Sequence, residues 1–239
     1  MTCRSNFRDL RSSEFERSSC SILGAGPSLL LADKDFINSM PCFVVNSAII
    51  YTDWHDGNSI NRFWVSNDSL CLRWTYWDKV KTSKCNIVVR DSWCKYSNLL
   101  PESAKFFSPR ASNINIDSAE DGLCFCSSVP TCIDMAIAFG FKYIYLFGVD
   151  HNKENTGYFW SNWEKSMKPK QVVDFSGERK FITEPLALRQ PMDERLKVWN
   201  ENIGCFHALG RHAESHGIRI VNMNKNSAVD AFMYGENGG

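Results

Sequence analysis

Short apolar runs recur along the chain, and each closes on a glycine or on a small polar side chain. Ser21-Ile22-Leu23 runs into Gly24-Ala25-Gly26-Pro27-Ser28 and then Leu29-Leu30-Leu31-Ala32. This pattern predicts a strand, a tight turn and a helix start, with Pro27 in the first helical turn, where its missing N–H costs nothing. Phe43-Val44-Val45 predicts a second strand ending at Asn46, and Phe63-Trp64-Val65 a third ending at Ser66-Asn67-Asp68. Asn86-Ile87-Val88-Val89 and Lys105-Phe106-Phe107 read as further short strands. Across 127–140, Val129, Cys132, Ile133, Ala136, Ile137 and Phe139 recur at helical spacing. The aromatic and β-branched run Lys142-Tyr143-Ile144-Tyr145-Leu146-Phe147 follows and ends at Gly148-Val149-Asp150-His151. A long helix is predicted over 192–216, with Leu196, Trp199, Ile203, Phe206 and Leu209 on one side and Gly217 as its stop. Ile218-Arg219-Ile220-Val221 is a last strand ending at Asn222, and 227–232 a short closing helix.

Strands alternating with helices predict an α/β fold: a single Rossmann-like domain, a mainly parallel sheet with helices on both faces. Residues 20–234 form this domain, 1–19 a polar N-terminal arm and 235–239 a flexible tail. Residues 152–190, rich in Lys, Asn, Trp and Pro without a sustained period, read as a lid-like insertion. In such sheets ligands bind beyond the carboxyl ends of the strands, which is where the polar residues fall.

Composition narrows the function. Lys plus Arg and Asp plus Glu both total 27, so net charge gives no reason to expect nucleic acid or an anionic membrane as partner. No run approaches the ~20 apolar residues of a transmembrane segment. The ten cysteines form no C-x-x-C pair and the first residues carry no signal pattern, so reduced thiols in a soluble, cytoplasmic protein are expected. Cys124 and Cys126 alternate along a strand-like run and read as small apolar groups rather than a metal or redox pair. The eight tryptophans are scattered and read as packing residues. A homo-oligomer is left open.

Two glycines one residue apart let backbone N–H groups approach a phosphate, and the following helix adds its positive end. The third glycine of the dinucleotide fingerprint and the Gly-Lys-Ser/Thr of a P-loop are both missing, so the turn is either a phosphate cradle or a plain tight turn. Asn46 and Asn67 offer a donor and an acceptor each to a base, ribose or sugar, or they cap the elements that follow. Ser127 and Ser128 stand at a helix start, as N-cap or as part of an anion site. Asp150 and His151 follow a strand directly, the position of a general acid or base, or of a loop-capping pair. His207, His212 and His216 lack a carboxylate at zinc-protease spacing and read as a solvated helix face.

The ordered set Ser21 to Leu29, Val45-Asn46, Thr52-Asp53-Trp54, Val65-Ser66-Asn67-Asp68 and AIAFGFKYIYLFGVD at 136–150 resembles a superfamily that joins the glycosyltransferase family 42 sialyltransferases with 6-hydroxymethylpterin diphosphokinase-like proteins. It is most similar to uncharacterised members of the latter group. The resemblance covers residues 20–232, least well in the lid. It implies a CMP-sugar-like nucleotide sugar as donor, with no metal required, and a glycan or small molecule as acceptor. By position it puts Gly24 and Gly26 under the donor phosphate and ribose, and Asn46 and Asn67 against nucleotide and sugar; Ala25, Pro27, Ser28 and Asp68 are counted with them as candidate binding residues. It puts Ser127 and Ser128 by the phosphate and donor carboxylate, and Asn226-Ser227 before the last helix. The family loop carries asparagine where this chain has Ala25. The family's general-base histidine projects near Asn200, so a base would come from His151, with Asp150 beside it, or from the lid. Three functions follow: a sialyltransferase-like glycosyltransferase, a pyrophosphokinase using ATP and magnesium held by Asp68 and Asp150, and a non-catalytic nucleotide-binding protein.

Overall fold

The structure is a computed structural model that describes residues 6–10, 18–52, 54, 61–110, 112, 116, 122–151, 157–175, 178–183 and 191–235. Its centre is an eight-stranded sheet formed by β1 (Ser19–Leu23), β2 (Cys42–Val45), β3 (Arg62–Ser66), β4 (Asn86–Arg90), β5 (Lys105–Phe107), β6 (Tyr143–Phe147), β9 (Arg219–Asn222) and β10 (Met233–Tyr234). Their spatial order is β10, β9, β6, β1, β2, β3, β4, β5, and every pair is parallel. The order reverses between β1 and β6, so the loops leaving these two strands meet at the switch point of the sheet.

Both faces of the sheet are buried, and the two-residue alternation along each strand sorts side chains between them. Cys20, Ile22, Phe43, Val45, Phe63, Val65 and Val88 point to one face. There they meet α3 (Ser128–Phe139), which packs on β1, β2 and β3, and α4 (Met192–Ser215), which packs on α3 and β9. Leu23, Val44, Trp64, Ile87 and Val89 point the other way, into a core with Trp54, Trp74, Trp77, Trp93 and Trp160. The tryptophans scattered in sequence therefore gather in one layer. That layer is covered by the short α1 (Lys34–Asn38) and α2 (Trp77–Thr82) and by 3-10 turns at Pro27–Leu31, Asn46–Tyr51, Ser69–Arg73 and Asp91–Leu99. Bulky rings fill the space that longer helices occupy on the opposite face.

Several expectations need correction. Part of the predicted arm belongs to the domain: Phe7 is 3% exposed in the core, Asn6 bridges Phe106, and Ser19 opens β1. The predicted closing helix is a series of turns leading to β10. Ser227 Oγ donates to the Val149 carbonyl (2.7 Å) and accepts from the Val229 amide (3.0 Å), local bonds that compete with a helical turn. The aperiodic lid holds an antiparallel hairpin, β7 (Gln171–Phe175) and β8 (Glu178–Ile182). Cys94 is disulfide-bonded, against the expectation of reduced thiols, whereas eight other cysteines are free. Asp53, residues 152–156 and 184–190 of the lid and 236–239 of the tail lie outside the described residues. Among the described residues no helix is long and apolar enough to cross a membrane.

Candidate functional site

The loop after β1 is bound to the loop after β6. The Gly24 amide donates to the Phe147 carbonyl (2.7 Å), the Gly26 amide to the Gly148 carbonyl (2.8 Å) and the Ser28 amide to Asp150 Oδ2 (2.9 Å). A Cβ at Gly24 would collide with the Gly148 carbonyl, and one at Gly26 with the Asp150 carboxylate. The glycines thus permit a close approach of backbone to backbone, and the amides expected to face a phosphate are engaged within the protein. The 3-10 turn that begins at Pro27 is only five residues long. Asp150 is 7% exposed; its second oxygen accepts from the Asn224 side-chain amide, and its carbonyl from the Ala228 amide. Asp150 therefore positions the loop. Ser227 Oγ also reaches the Asp150 carbonyl (3.1 Å), while the Asn226 amide donates to Asn224 Oδ1 (3.0 Å), so this pair closes the same junction. Ser28 Oγ is buried without a hydrogen-bond partner, beside a small crevice lined by Gly148, Met223 and Asn224.

His151 follows with a left-handed backbone (φ 47°). Its ring stacks on Trp199 of α4 (5.3 Å, 9°) and meets Phe206 edge-on. The Trp199 indole donates to the His151 carbonyl (2.7 Å), and His151 Nε2 lies 3.3 Å from the Trp199 carbonyl. Desolvation lowers the imidazole below its ordinary 6.5, outweighing that carbonyl contact. With Nε2 protonated toward the carbonyl, Nδ1 keeps a free lone pair and the ring is neutral at pH 7.

A second cluster lies beyond β2, β3 and the start of α3. Asn46 is also left-handed (φ 48°), a conformation asparagine tolerates. Its Oδ1 accepts from Ser66 Oγ (2.8 Å) and Ser128 Oγ (3.5 Å), and its Nδ2 finds no acceptor among the described residues. Asn67 is a structural tie: its amide nitrogen donates to Ser128 Oγ (3.1 Å), and its Nδ2 to the Phe125 carbonyl and Thr131 Oγ1 (3.2 and 2.9 Å). Ser127 holds the N-cap position of α3 in extended conformation, but its hydroxyl makes no capping bond. Asp68 Oδ1 accepts from the Leu70 amide (2.9 Å) and starts the 3-10 turn after β3.

The lid completes this cluster. The Phe159 amide donates to the Ala25 carbonyl (3.0 Å), the Trp160 indole donates to Ser47 Oγ (3.1 Å), and Tyr158 stacks on Trp160 (4.7 Å, 12°). Gln171, first residue of β7, bridges to Trp74. Between lid and strand ends lies a small cleft, about 70 Å³, lined by Asn46, Ser47, Asp68, Trp74, Tyr158 and Gln171. Gln171 is 2% exposed and its Oε1 has no hydrogen-bond partner among the described residues. A buried unpaired acceptor costs about 1–3 kcal/mol, a cost that a ligand donor would remove. The sequence reading missed Gln171, Tyr158 and Trp160; the one available signal was an aromatic pair inside an otherwise polar insertion.

The structure of the MAf glycosyltransferase from Magnetospirillum magneticum AMB-1 aligns with 94% of this chain at 16% identity, with a TM-score of 0.52. This chain spans about a third of that protein, 34% of its length. Two structures of the sialyltransferase CST-II, one with trisaccharide acceptor and CMP and one from Campylobacter jejuni with CMP-3FNeuAc, align with 90% and 91% of this chain and 85% of theirs. Both are 15% identical, with TM-scores of 0.44 and 0.46. No family model and no curated protein matches the sequence. The class defined is one of fold: a parallel α/β sheet of the kind that MAf glycosyltransferase carries.

Proposed function

We propose that this chain is a glycosyltransferase that holds a nucleotide-activated sugar in the cleft between the ends of β2 and β3, the N-terminus of α3 and the aromatic lid. The observation that carries this reading is the pair of unmatched polar groups facing one cleft, the Asn46 Nδ2 donor and the Gln171 Oε1 acceptor. A base or a sugar presents both partners, and Trp74 and Tyr158 offer ring faces beside them. The first turn of the twelve-residue α3, with Ser127 and Ser128, favours the anionic part of such a donor. The motif resemblance supplies a CMP-sugar as the first donor to try. In the reaction, an acceptor hydroxyl attacks the anomeric carbon, the bond to the nucleotide phosphate breaks, and the hydroxyl proton passes to a base, for which His151 at the end of β6 is the candidate, outside the lining of the cleft itself. Asp150 and the Gly24 to Ser28 loop hold the frame on which His151 sits.

The pyrophosphokinase alternative needs Asp68 and Asp150 to share magnesium, an ion that takes oxygen ligands in near-octahedral geometry. Both Asp150 oxygens are already engaged by Ser28 and Asn224, so the residues do not fit the ion, and no step is derived through it.

Thermal shift with CMP, UDP and GDP sugars tests the binding reading. At a hundredfold excess over Kd, a ligand adds about 2.7 kcal/mol, a shift readily seen. Gln171→Met and Asn46→Ala are expected to weaken binding about tenfold each, the equivalent of one lost hydrogen bond. Absence of any shift with all three donor classes would end the proposal.

A further inference from the structure

Three cysteines meet where the segment leading into α3 passes α4. We propose that Cys124, Cys126 and Cys205 form a peroxide-responsive thiol site in which Cys126 reacts first and a reversible Cys124–Cys205 disulfide is the product. The three sulfurs lie within 4.8 Å of one another, with Cys124 Sγ 2.6 Å from Cys205 Sγ and 3.6 Å from Cys126 Sγ. Cys124 and Cys205 are 81 residues apart in sequence, and both backbones are pinned. The Cys124 amide donates to Asp134 Oδ2 (2.7 Å), and its carbonyl accepts from Thr131 Oγ1 (2.6 Å), while Cys205 sits inside α4. A bond of about 2.05 Å therefore needs only side-chain movement.

Exposure separates the roles. Cys124 and Cys205 are fully buried, and Cys126 alone of the three reaches solvent. Cys126 also directly precedes the N-cap of α3, a setting that favours a thiolate. Hydrogen bonds from the Cys124 thiol and then from the Cys205 thiol pull Cys126 downward, while contacts with Cys124 and then Cys126 push Cys205 up. An accessible thiolate beside two buried thiols is the arrangement of a sensor with resolving partners.

The steps balance with a hydroperoxide as oxidant. The Cys126 thiolate attacks the distal peroxide oxygen, forming an S–O bond and releasing the alcohol (water, from hydrogen peroxide). Cys205 attacks the sulfenic sulfur of Cys126 and water leaves. Cys124 then attacks Cys205 and displaces the Cys126 thiolate. Two thiols are oxidised, and one hydroperoxide is reduced to alcohol and water. A closed structural zinc site would need a fourth ligand, and among the described residues no histidine or carboxylate joins the cluster. This inference does not depend on the proposed glycosyl transfer.

The full chain is treated with stoichiometric hydrogen peroxide, alkylated and digested with trypsin. The expected product links residues 111–142 to 198–211, has lost two hydrogens and separates on treatment with dithiothreitol; fragmentation assigns the bond to Cys124 rather than to Cys126 or Cys132, and a final bond at either of those overturns the proposed product. Cys126→Ser is expected to slow its formation at least tenfold, and an unchanged rate overturns the role of Cys126. Should that variant fail to fold, the unmodified protein decides. Oxidation that stops at Cys126 sulfinate without the linked peptide overturns the proposal, as does purified protein carrying stoichiometric zinc or copper on these thiols.

Discussion

Replacing Gly148 with alanine tests whether the junction at the sheet's switch point is a steric interlock. Gly148 has φ 63°, where an L-residue pays about 1–2 kcal/mol, and its added Cβ would lie 2.6 Å from the Gly24 carbonyl oxygen and 2.9 Å from Leu29 Cβ. Neither obstacle is the end of a flexible side chain. Relief requires the two loops to part, straining the bonds from Gly24 to Phe147 and from Gly26 to Gly148. Overpacking of this kind adds about 1–3 kcal/mol, so Gly148→Ala should lose about 2–5 kcal/mol in all. Gly217 is the internal control. Its φ is 66°, but nothing lies within 4 Å of an added Cβ, so Gly217→Ala should lose only the conformational part, roughly 1 kcal/mol. For a chain of this size the two substitutions should lower Tm by about 4–20 °C and about 2–4 °C. Urea melts and calorimetry of both variants measure the difference. Equal losses would refute the interlock, because backbone conformation alone would then account for both.

Gln171→Met should leave Tm unchanged or raised while weakening the nucleotide sugar, because it removes a buried unpaired acceptor; a fall of several degrees would mean that the amide is structural. With His151 as base, turnover should hold steady above the ordinary imidazole value of 6.5 and fall only well below it, since desolvation lowers this group. A rate that keeps rising to pH 8 would assign the base elsewhere. The same shift makes the unfolded chain bind the proton first, so the contribution of His151 to stability is present above 6.5 and is lost as pH falls through that value toward the lower folded one. Asp134, buried against Arg110 (3.1 Å), is pushed up to about 6, chiefly by burial and despite that partner. Here the folded state binds the proton more tightly, so stability falls as pH rises from about 4 to 6. Across that window the difference between wild type and Asp134→Asn in urea melts should change by about 3 kcal/mol, and a flat difference would refute the burial account.

The two-residue alternation and the helical spacing over 127–140 and 192–216 were enough to specify a mainly parallel α/β sheet with helices against it, but not the closing turns or the lid hairpin. These patterns are local and reflect which side of an element meets the core. The same patterning marked Gly24 to Ser28 and Asp150 as neighbours at strand ends, because strand ends are where short polar runs fall. What those groups touch depended on tertiary contact. The glycines face Gly148 rather than a ligand, Asp150 and Asn67 are consumed in ties between segments far apart in sequence, and Cys205 arrives at Cys124 from α4. The lid carried no period because its rings pack on residues of other elements, Trp160 on Trp74 and Phe159 on Tyr51. Sequence by itself determined the class of fold and the edge of the sheet at which to look. Only the folded chain decided which polar groups remain unmatched there, because hydrogen-bond satisfaction is a property of all the neighbours that folding brings together.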